Sequence, residues 1–283
     1  MADYREGTFI AQDGLKLYYR DYGDLFASRT PVLCLSGLAR SSIDFAHVAG
    51  RIAPRRRVIC PDYRGRGRSD YDKDWRNYEP RTYIMDILDL LAVTGIERAV
   101  IIGTSLGGLL AMGLAVLQPT LLAGVVLNDI GPELTPGGLD RIIDYIGTDH
   151  VQPDWESAVG FLRALLPRLA PSADDAWWRT LAEGTYRRGA DGRLHFNWDT
   201  AIAKPLRQQP ELPNLWALFR ALKPVPTLLL RGELSDLLSD DTMRRMALEK
   251  TDLVCVTVPE RGHTPALDEP LSERALDAFL ASF

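Results

Sequence analysis

AVIIGTSLGGLLAMGLA, residues 99–115, joins two apolar patterns across the pentapeptide Gly103-Thr104-Ser105-Leu106-Gly107. The first half is short and rich in Val and Ile, which reads as a buried strand. The second half is built of Leu, Ala and Met, which reads as a helix. A strand that turns directly into a helix forces its middle residue toward φ above zero. The positions two before and two after then approach so closely that only small residues fit, and both are glycine. The Ser105 hydroxyl is thereby raised clear of the backbone, at a helix N-terminus whose free N–H groups favour negative charge. This is the G-x-S-x-G nucleophile elbow. The competing account is a glycine-rich turn that binds a phosphate or only packs closely.

A serine hydroxyl becomes a nucleophile beside a base, and the base needs an acid to orient it. Of the four histidines, His47, His150 and His195 fall in helical or polar surface contexts and read as structural. His263, in RGHTPALDEP after the last expected strand, is placed to act as the base. The acid is expected between serine and histidine in the chain, on a loop following a strand. Asp236 in RGELSD fits that position, and Asp129 in VVLNDIGP is its rival, with a bond-holding role at the following segment as its alternative. The expected triad is Ser105, Asp236 and His263. The N–H groups of Leu106, directly after the serine, and of Leu38, in LSGLARSS, are the expected oxyanion donors. Arg40 in the same loop is set against a substrate carboxylate, with a solvated loop charge as the even alternative.

Outward from the elbow, the pattern repeats. GTFIAQ and LKLYYRDYG flank Asp13-Gly14 as a hairpin, and PVLCLSG, RRVICPD, LAGVVLND, VPTLLLRG and DLVCVTVP read as strands. Helical segments with one apolar face lie between them, such as PRTYIMDILDLLAVTG and the C-terminal LSERALDAFLASF. Strands alternating with helices require crossovers, hence an α/β fold with a mostly parallel sheet covered on both faces. Residues 133–210 break the rhythm with Trp155, Trp177, Trp178 and Trp198 among several prolines, and read as short helices inserted between two sheet strands. The expected division is a core of residues 1–132 and 211–283 and a helical lid of residues 133–210. Trp155 and Trp177 are candidates to line a pocket beneath the lid; packing the lid onto the core is the commoner fate of such residues.

The 283 residues suit one large α/β domain or one domain with an insertion. A net charge of −5 argues against a nucleic-acid backbone as partner, and the basic runs RRR (55–57) and RGRGR (64–68) read as solvated turns. GRGRSD lacks the third glycine of a dinucleotide fingerprint, so no cofactor is expected. Three cysteines, each in a strand-like run, read as reduced buried thiols and as neither a disulfide frame nor a metal site. No apolar stretch reaches membrane-spanning length and the N-terminus lacks a signal-peptide core, so a cytoplasmic protein without membrane contact is expected. A homodimer stays open.

GTSLGG, PDYRGRGRSD, RGELSD and RGHTPALDEP together resemble the α/β-hydrolase superfamily over essentially the whole chain, and VVLNDIGPEL resembles the start of that superfamily's cap domain. The resemblance implies an eight-stranded sheet with a helical cap and a cofactor-independent hydrolase. One departure is Ser36-Gly37 where many members carry His-Gly; the backbone donor does not depend on that side chain. Ser105 stands where dehalogenases and epoxide hydrolases of the superfamily carry aspartate. The expected reaction is therefore cleavage of a small carboxylic ester or lactone through an acyl-enzyme. A carbon–carbon bond hydrolase, and a ligand-binding protein without turnover, are the alternatives; Thr264-Pro265 after the histidine disfavours the first.

Overall fold

A computed structural model describes residues 3–135, 137–208 and 214–283. The chain opens with the expected hairpin: β1 (Tyr4–Ile10) pairs antiparallel with β2 (Lys16–Tyr22), Ile10 opposite Lys16. β3 (Val32–Leu35) follows, then α1 (Ala46–Ile52), β4 (Val58–Pro61), α2 (Pro80–Thr94), β5 (Ala99–Thr104), α3 (Leu106–Leu117) and β6 (Leu122–Asn128). Between β6 and the next sheet strand come α4 (Gly138–Ile146), α5 (Trp155–Leu165), α6 (Asp175–Thr185), β7 (Tyr186–Arg188), β8 (Leu194–Phe196), α7 (Ala203–Arg207) and α8 (Trp216–Arg220). β9 (Thr227–Gly232), α9 (Asp240–Glu249), β10 (Val254–Val258) and α10 (Pro270–Leu280) complete the fold.

The eight-stranded sheet has the order β1-β2-β4-β3-β5-β6-β9-β10. From β4 to β10 neighbours run parallel, and the hairpin adds two antiparallel strands at one edge. The period-two alternation of strand side chains sorts the core into two layers. Leu33, Leu35, Ile101, Val125, Leu127 and Leu229 face α2 and α3, packing on Ile84, Leu90, Leu110 and Leu114. Val32, Cys34, Val100, Ile102, Val126, Leu228 and Leu230 face the opposite way, onto Val48, Ile52, Leu276 and Leu280 of α1 and α10. Cys34 and Cys60 are buried free thiols in this second layer, and Cys255 is a half-buried one.

Two parts of the sequence reading change. The segment after β6 contains more than helices: β7 and β8 form an antiparallel hairpin, Tyr186 opposite Phe196. Its turn has Asp191 accepting the Arg193 N–H and Gly192 at φ 79°, the chemistry an Asp-Gly pair supplies. The basic run at 64–68 is solvated only at Arg68; Arg64 and Arg66 are buried. Arg64 is buried and holds Asp86 through two hydrogen bonds of 2.8 and 2.6 Å, and reaches Asp13 and Asp72 at 2.6 Å. Arg66 is fully buried among Tyr63, Tyr78 and Tyr83, its guanidinium 4.8 Å from the Tyr83 ring. Guanidinium groups enter a core on such terms, each paired with carboxylates, carbonyls or aromatic faces.

Among the described residues no helix is long and apolar enough to cross a membrane.

Candidate active site

The turn from β5 into α3 has the predicted geometry, and the reason for its two glycines is direct. A Cβ on Gly103 would lie 2.5 Å from the Gly107 carbonyl group, and one on Gly107 would lie 2.0 Å from the Leu35 carbonyl oxygen. Ser105 sits at φ 50°, ψ −114°. The neighbouring strand β6 and the helix α3 hold it there: its N–H donates to the Asn128 carbonyl at 3.0 Å, and its own carbonyl accepts the Gly108 N–H at 2.9 Å. A serine in this region carries strain of order 1–3 kcal/mol, offset by the packing around it.

His263 lies on the loop after β10. Its Nε2 is 2.9 Å from Ser105 Oγ, and its Nδ1 is 2.7 Å from Asp129 Oδ2. An ionised carboxylate only accepts, so this contact places the imidazole proton on Nδ1 and leaves Nε2 free to accept from the serine. The loop is pinned from three sides. Gly262 N–H donates to the Leu169 carbonyl at 2.8 Å, Leu234 N–H to the Arg261 carbonyl at 2.8 Å, and Asn128 Nδ2 to the Pro265 carbonyl at 2.9 Å. Asn128 Nδ2 also reaches Thr104 Oγ1 at 3.1 Å, so one amide joins the serine strand to the histidine loop.

The acid beside the histidine is Asp129, not Asp236. Asp129 is wholly buried at φ 56° directly after β6. Its Oδ1 accepts the Gly232 N–H at 2.8 Å, and its Oδ2 accepts the Ser235 hydroxyl at 2.6 Å in addition to the imidazole. Asp236 instead pairs with Arg141 at 2.5 Å. The physical cause is occupancy: the loop after β9 turns its Gly232 N–H and Ser235 hydroxyl toward the Asp129 carboxylate, and the residue after Ser235 is directed to the other side.

Leu106 N–H opens α3 and, like all first-turn donors, has no intrahelical acceptor. Neither it nor the Leu38 N–H donates to any partner among the described residues. The Leu38 loop stands against the serine, since a Cβ on Gly37 would lie 3.8 Å from Ser105 Cβ. Three anchors fix this loop: Arg66 Nε donates to the Leu38 carbonyl at 2.8 Å, and Gly107 N–H and Tyr63 OH donate to the Ser36 carbonyl at 3.1 and 3.2 Å. Burial holds the Tyr63 phenol far above its ordinary range, so it stays a donor.

The remaining predicted residues are placed differently. Arg40 is not free for a substrate carboxylate: Nε and Nη2 hold Asp44 at 2.6 Å each, and Nη1 donates to Thr185 Oγ1 at 2.6 Å. The (i, i+4) spacing of Arg40 and Asp44 was the available signal. Trp155 stacks under Arg179 at 4.9 Å, between α5 and α6. Trp177 packs edge-on to Trp178, ring centroids 5.3 Å apart, with the Arg261 guanidinium of the histidine loop 5.8 Å from its ring. His47 pairs with Glu273, His195 with Asp149 and Asp191, and His150 packs on Phe161, each outside the site. Sequence reasoning missed Ser235, Asn128 and Arg66, which act through hydrogen bonds that no spacing announces. Among the described residues no His, Cys, Asp and Glu side chains gather as a metal site.

A mostly parallel eight-stranded sheet with a serine elbow after its central strand, and a histidine loop after its last, defines an α/β hydrolase. Residues 32–277 match the sequence profile of the alpha/beta hydrolase family, and the chain belongs to that family. Over 271 residues, 92% of either chain, it is 33% identical to a 3-hydroxybutyrate-oligomer hydrolase of Cupriavidus necator. A crystal structure of an α/β hydrolase from Novosphingobium aromaticivorans matches with a TM-score of 0.95 at 44% identity, covering 100% of both chains. A 2-(acetamidomethylene)succinate hydrolase of Mesorhizobium japonicum is 27% identical over 233 residues, 82% of this chain and 81% of that one.

Proposed function

We propose that the protein cleaves a carboxylic ester through an acyl-enzyme, with Ser105 as nucleophile, His263 as general base and acid, and Asp129 as the orienting acid. The observation that carries this reading is the continuous relay Ser105 Oγ–His263 Nε2 at 2.9 Å and His263 Nδ1–Asp129 Oδ2 at 2.7 Å, on a serine held at positive φ.

In the first step His263 Nε2 takes the serine proton as Oγ attacks the ester carbonyl. The oxyanion that forms is met by the N–H groups of Leu106 and Leu38, both without another acceptor among the described residues. Asp129 stabilises the imidazolium without taking its proton. The imidazolium then protonates the departing alkoxide, which leaves as an alcohol, and Ser105 keeps the acyl group. A water activated by the same imidazole adds to the acyl carbonyl, the carboxylic acid departs, and the proton returns to Ser105 Oγ.

The likeness to a 3-hydroxybutyrate-oligomer hydrolase over 92% of the chain supports a linear ester of a hydroxy acid in preference to a lactone. The segment between β6 and β9 serves in this reading as the cap, its Trp177 standing beside the histidine loop through Arg261.

Intact-mass spectrometry after fluorophosphonate treatment tests the core of the reading. One adduct on the wild type and none on Ser105→Ala is the expected result. A folded wild type that stays unlabelled and releases no alcohol from activated esters would sink it.

A further inference from the structure

Beyond the triad, a cleft of about 460 Å³ opens between the loop after β9 and the inserted segment. Arg231, Arg168, Arg141, Ser235, Ser239 and Asp236 contribute to its wall. Arg231 stands near the carboxyl end of β9, on the same face as Leu229, and is 9% exposed. Its Nε donates to the Leu238 carbonyl at 2.9 Å, while its terminal nitrogens meet no acceptor among the described residues. The guanidinium is nine-tenths buried, and its unpaired terminal nitrogens stay open to the cleft, where an anion can meet them.

The carboxylates of the cleft do not supply one. Asp236 is held by Arg141, and Asp240, also in the wall, is held by Arg244 one helical turn along. Arg168 has no carboxylate partner among the described residues either, and its backbone lies against the histidine loop, where Gly262 N–H donates to the adjacent Leu169 carbonyl at 2.8 Å. Two arginines are thus left in one cleft, one from the sheet and one from the insertion, each without a counter-charge. Paired arginines favour a planar carboxylate over a point charge.

We propose that this cleft is a carboxylate-binding subsite in which Arg231 and Arg168 hold the carboxylate of a small organic acid. Ser235 connects it to the relay, because the side chain that lines the cleft also donates to Asp129. The carboxylate comes either from the far end of the substrate or from a separate free acid.

The test uses the whole protein with Ser105 phosphonylated, so that the acyl site is filled, and butyrate as the probe. Calorimetry should show saturable butyrate binding, weakened about tenfold or more in Arg168→Gln and in Arg231→Gln. Arg168 is exposed, so Arg168→Gln is the variant that keeps the fold, and Arg231→Lys retains the charge should Arg231→Gln fail to fold. Binding by both folded arginine variants equal to wild type, no saturable binding at all, or equal affinity for inorganic phosphate, would each overturn the assignment. Because Ser105→Ala can replace the phosphonylated protein, a failure here stays separate from a failure of the hydrolase reading.

The source is then read from kinetics, a step that rests on ester hydrolysis as proposed above. A rise in KM in Arg168→Gln, confined to an ester bearing a free carboxylate and absent for its methyl ester, assigns the subsite to the substrate's own end. A change in kcat on adding butyrate, equal for both esters and abolished in Arg168→Gln, assigns it to a free acid.

Discussion

Asp129 and Asp236 both follow a sheet strand at its carboxyl end, and they differ by what surrounds each carboxylate. Asp129 is fully buried and accepts from Gly232 N–H, Ser235 OH and the imidazole, three donors that meet its carboxylate oxygens. Its replacement by asparagine keeps the shape but sets an NH2 group against His263 Nδ1. The imidazole proton would move to Nε2, where it opposes the serine proton. Asp129→Asn should therefore lower kcat on an activated ester by roughly 10³- to 10⁴-fold. Asp236→Asn loses only a half-exposed pair with Arg141 and should stay within about tenfold of wild type. Steady-state rates of the two variants decide the matter; a larger loss in Asp236→Asn would return the acid's role to that residue. The elbow was legible because G-x-S-x-G encodes a steric demand, and the Gly107–Leu35 approach shows that demand being met; His263 was legible from its place after the last strand. The acid was less so. Two Asp-bearing loops reach the same edge, and only the direction of Ser235 and Gly232 chooses between them.

Among the elements, the β7–β8 hairpin was missed because its strands are three residues each, too short for alternation to register. Its anchoring is ionic. His195 Nδ1 meets Asp149 Oδ2 at 2.7 Å and its Nε2 meets Asp191 at 3.1 Å, while Asp149 also accepts the Phe196 N–H at 2.9 Å. Hydrogen bonds to Asp149 and then Asp191 raise the imidazole above its ordinary 6.5. A raised histidine contributes stability in full below its unfolded value, and that contribution is lost as pH rises through the higher folded value. The wild type should therefore exceed His195→Gln in Tm by more at about pH 5.5 than at about pH 8.5. Thermal scans of both proteins at the two pH values check this, and an equal gap at both would remove the charge from the account. The group is largely solvated, so the difference should be modest and should shrink with added salt.

At the scale of the whole molecule, the sequence divides the chain into a core and a lid, whereas packing runs across that division. Ile143, Ile146, Leu162, Trp178, Tyr186, Phe196 and Trp198 of the insertion belong to the same apolar cluster as Leu33, Ile101 and Leu127 of the sheet. Polar ties cross it too. Gly67 N–H donates to the Asn197 carbonyl at 2.9 Å, Asp199 N–H to the Gly65 carbonyl at 2.8 Å, and Tyr78 OH to Asp199 Oδ2 at 2.7 Å. These contacts explain why Arg64 and Arg66 of the RGRGR run are buried while Arg68 at its end is exposed: the run forms the floor on which the insertion rests, and Arg66 in it also grips the Leu38 loop. A rhythm of strands and helices reports local period, and it carries no record of a loop that becomes core only when a distant segment covers it. Shared apolar burial makes the two parts one cooperative unit, because exposing either leaves the other's face in water. Urea unfolding followed by tryptophan fluorescence reports mainly on the insertion, through Trp155, Trp177, Trp178 and Trp198. Far-UV circular dichroism reports mainly on the sheet and its helices. The two transitions should coincide in midpoint and slope, and Trp198→Ala, which removes a side chain packed at 4.0 Å on Phe196, should shift both together by about 3–5 kcal/mol. A fluorescence transition that precedes the dichroism change would instead mark the insertion as a separately melting unit.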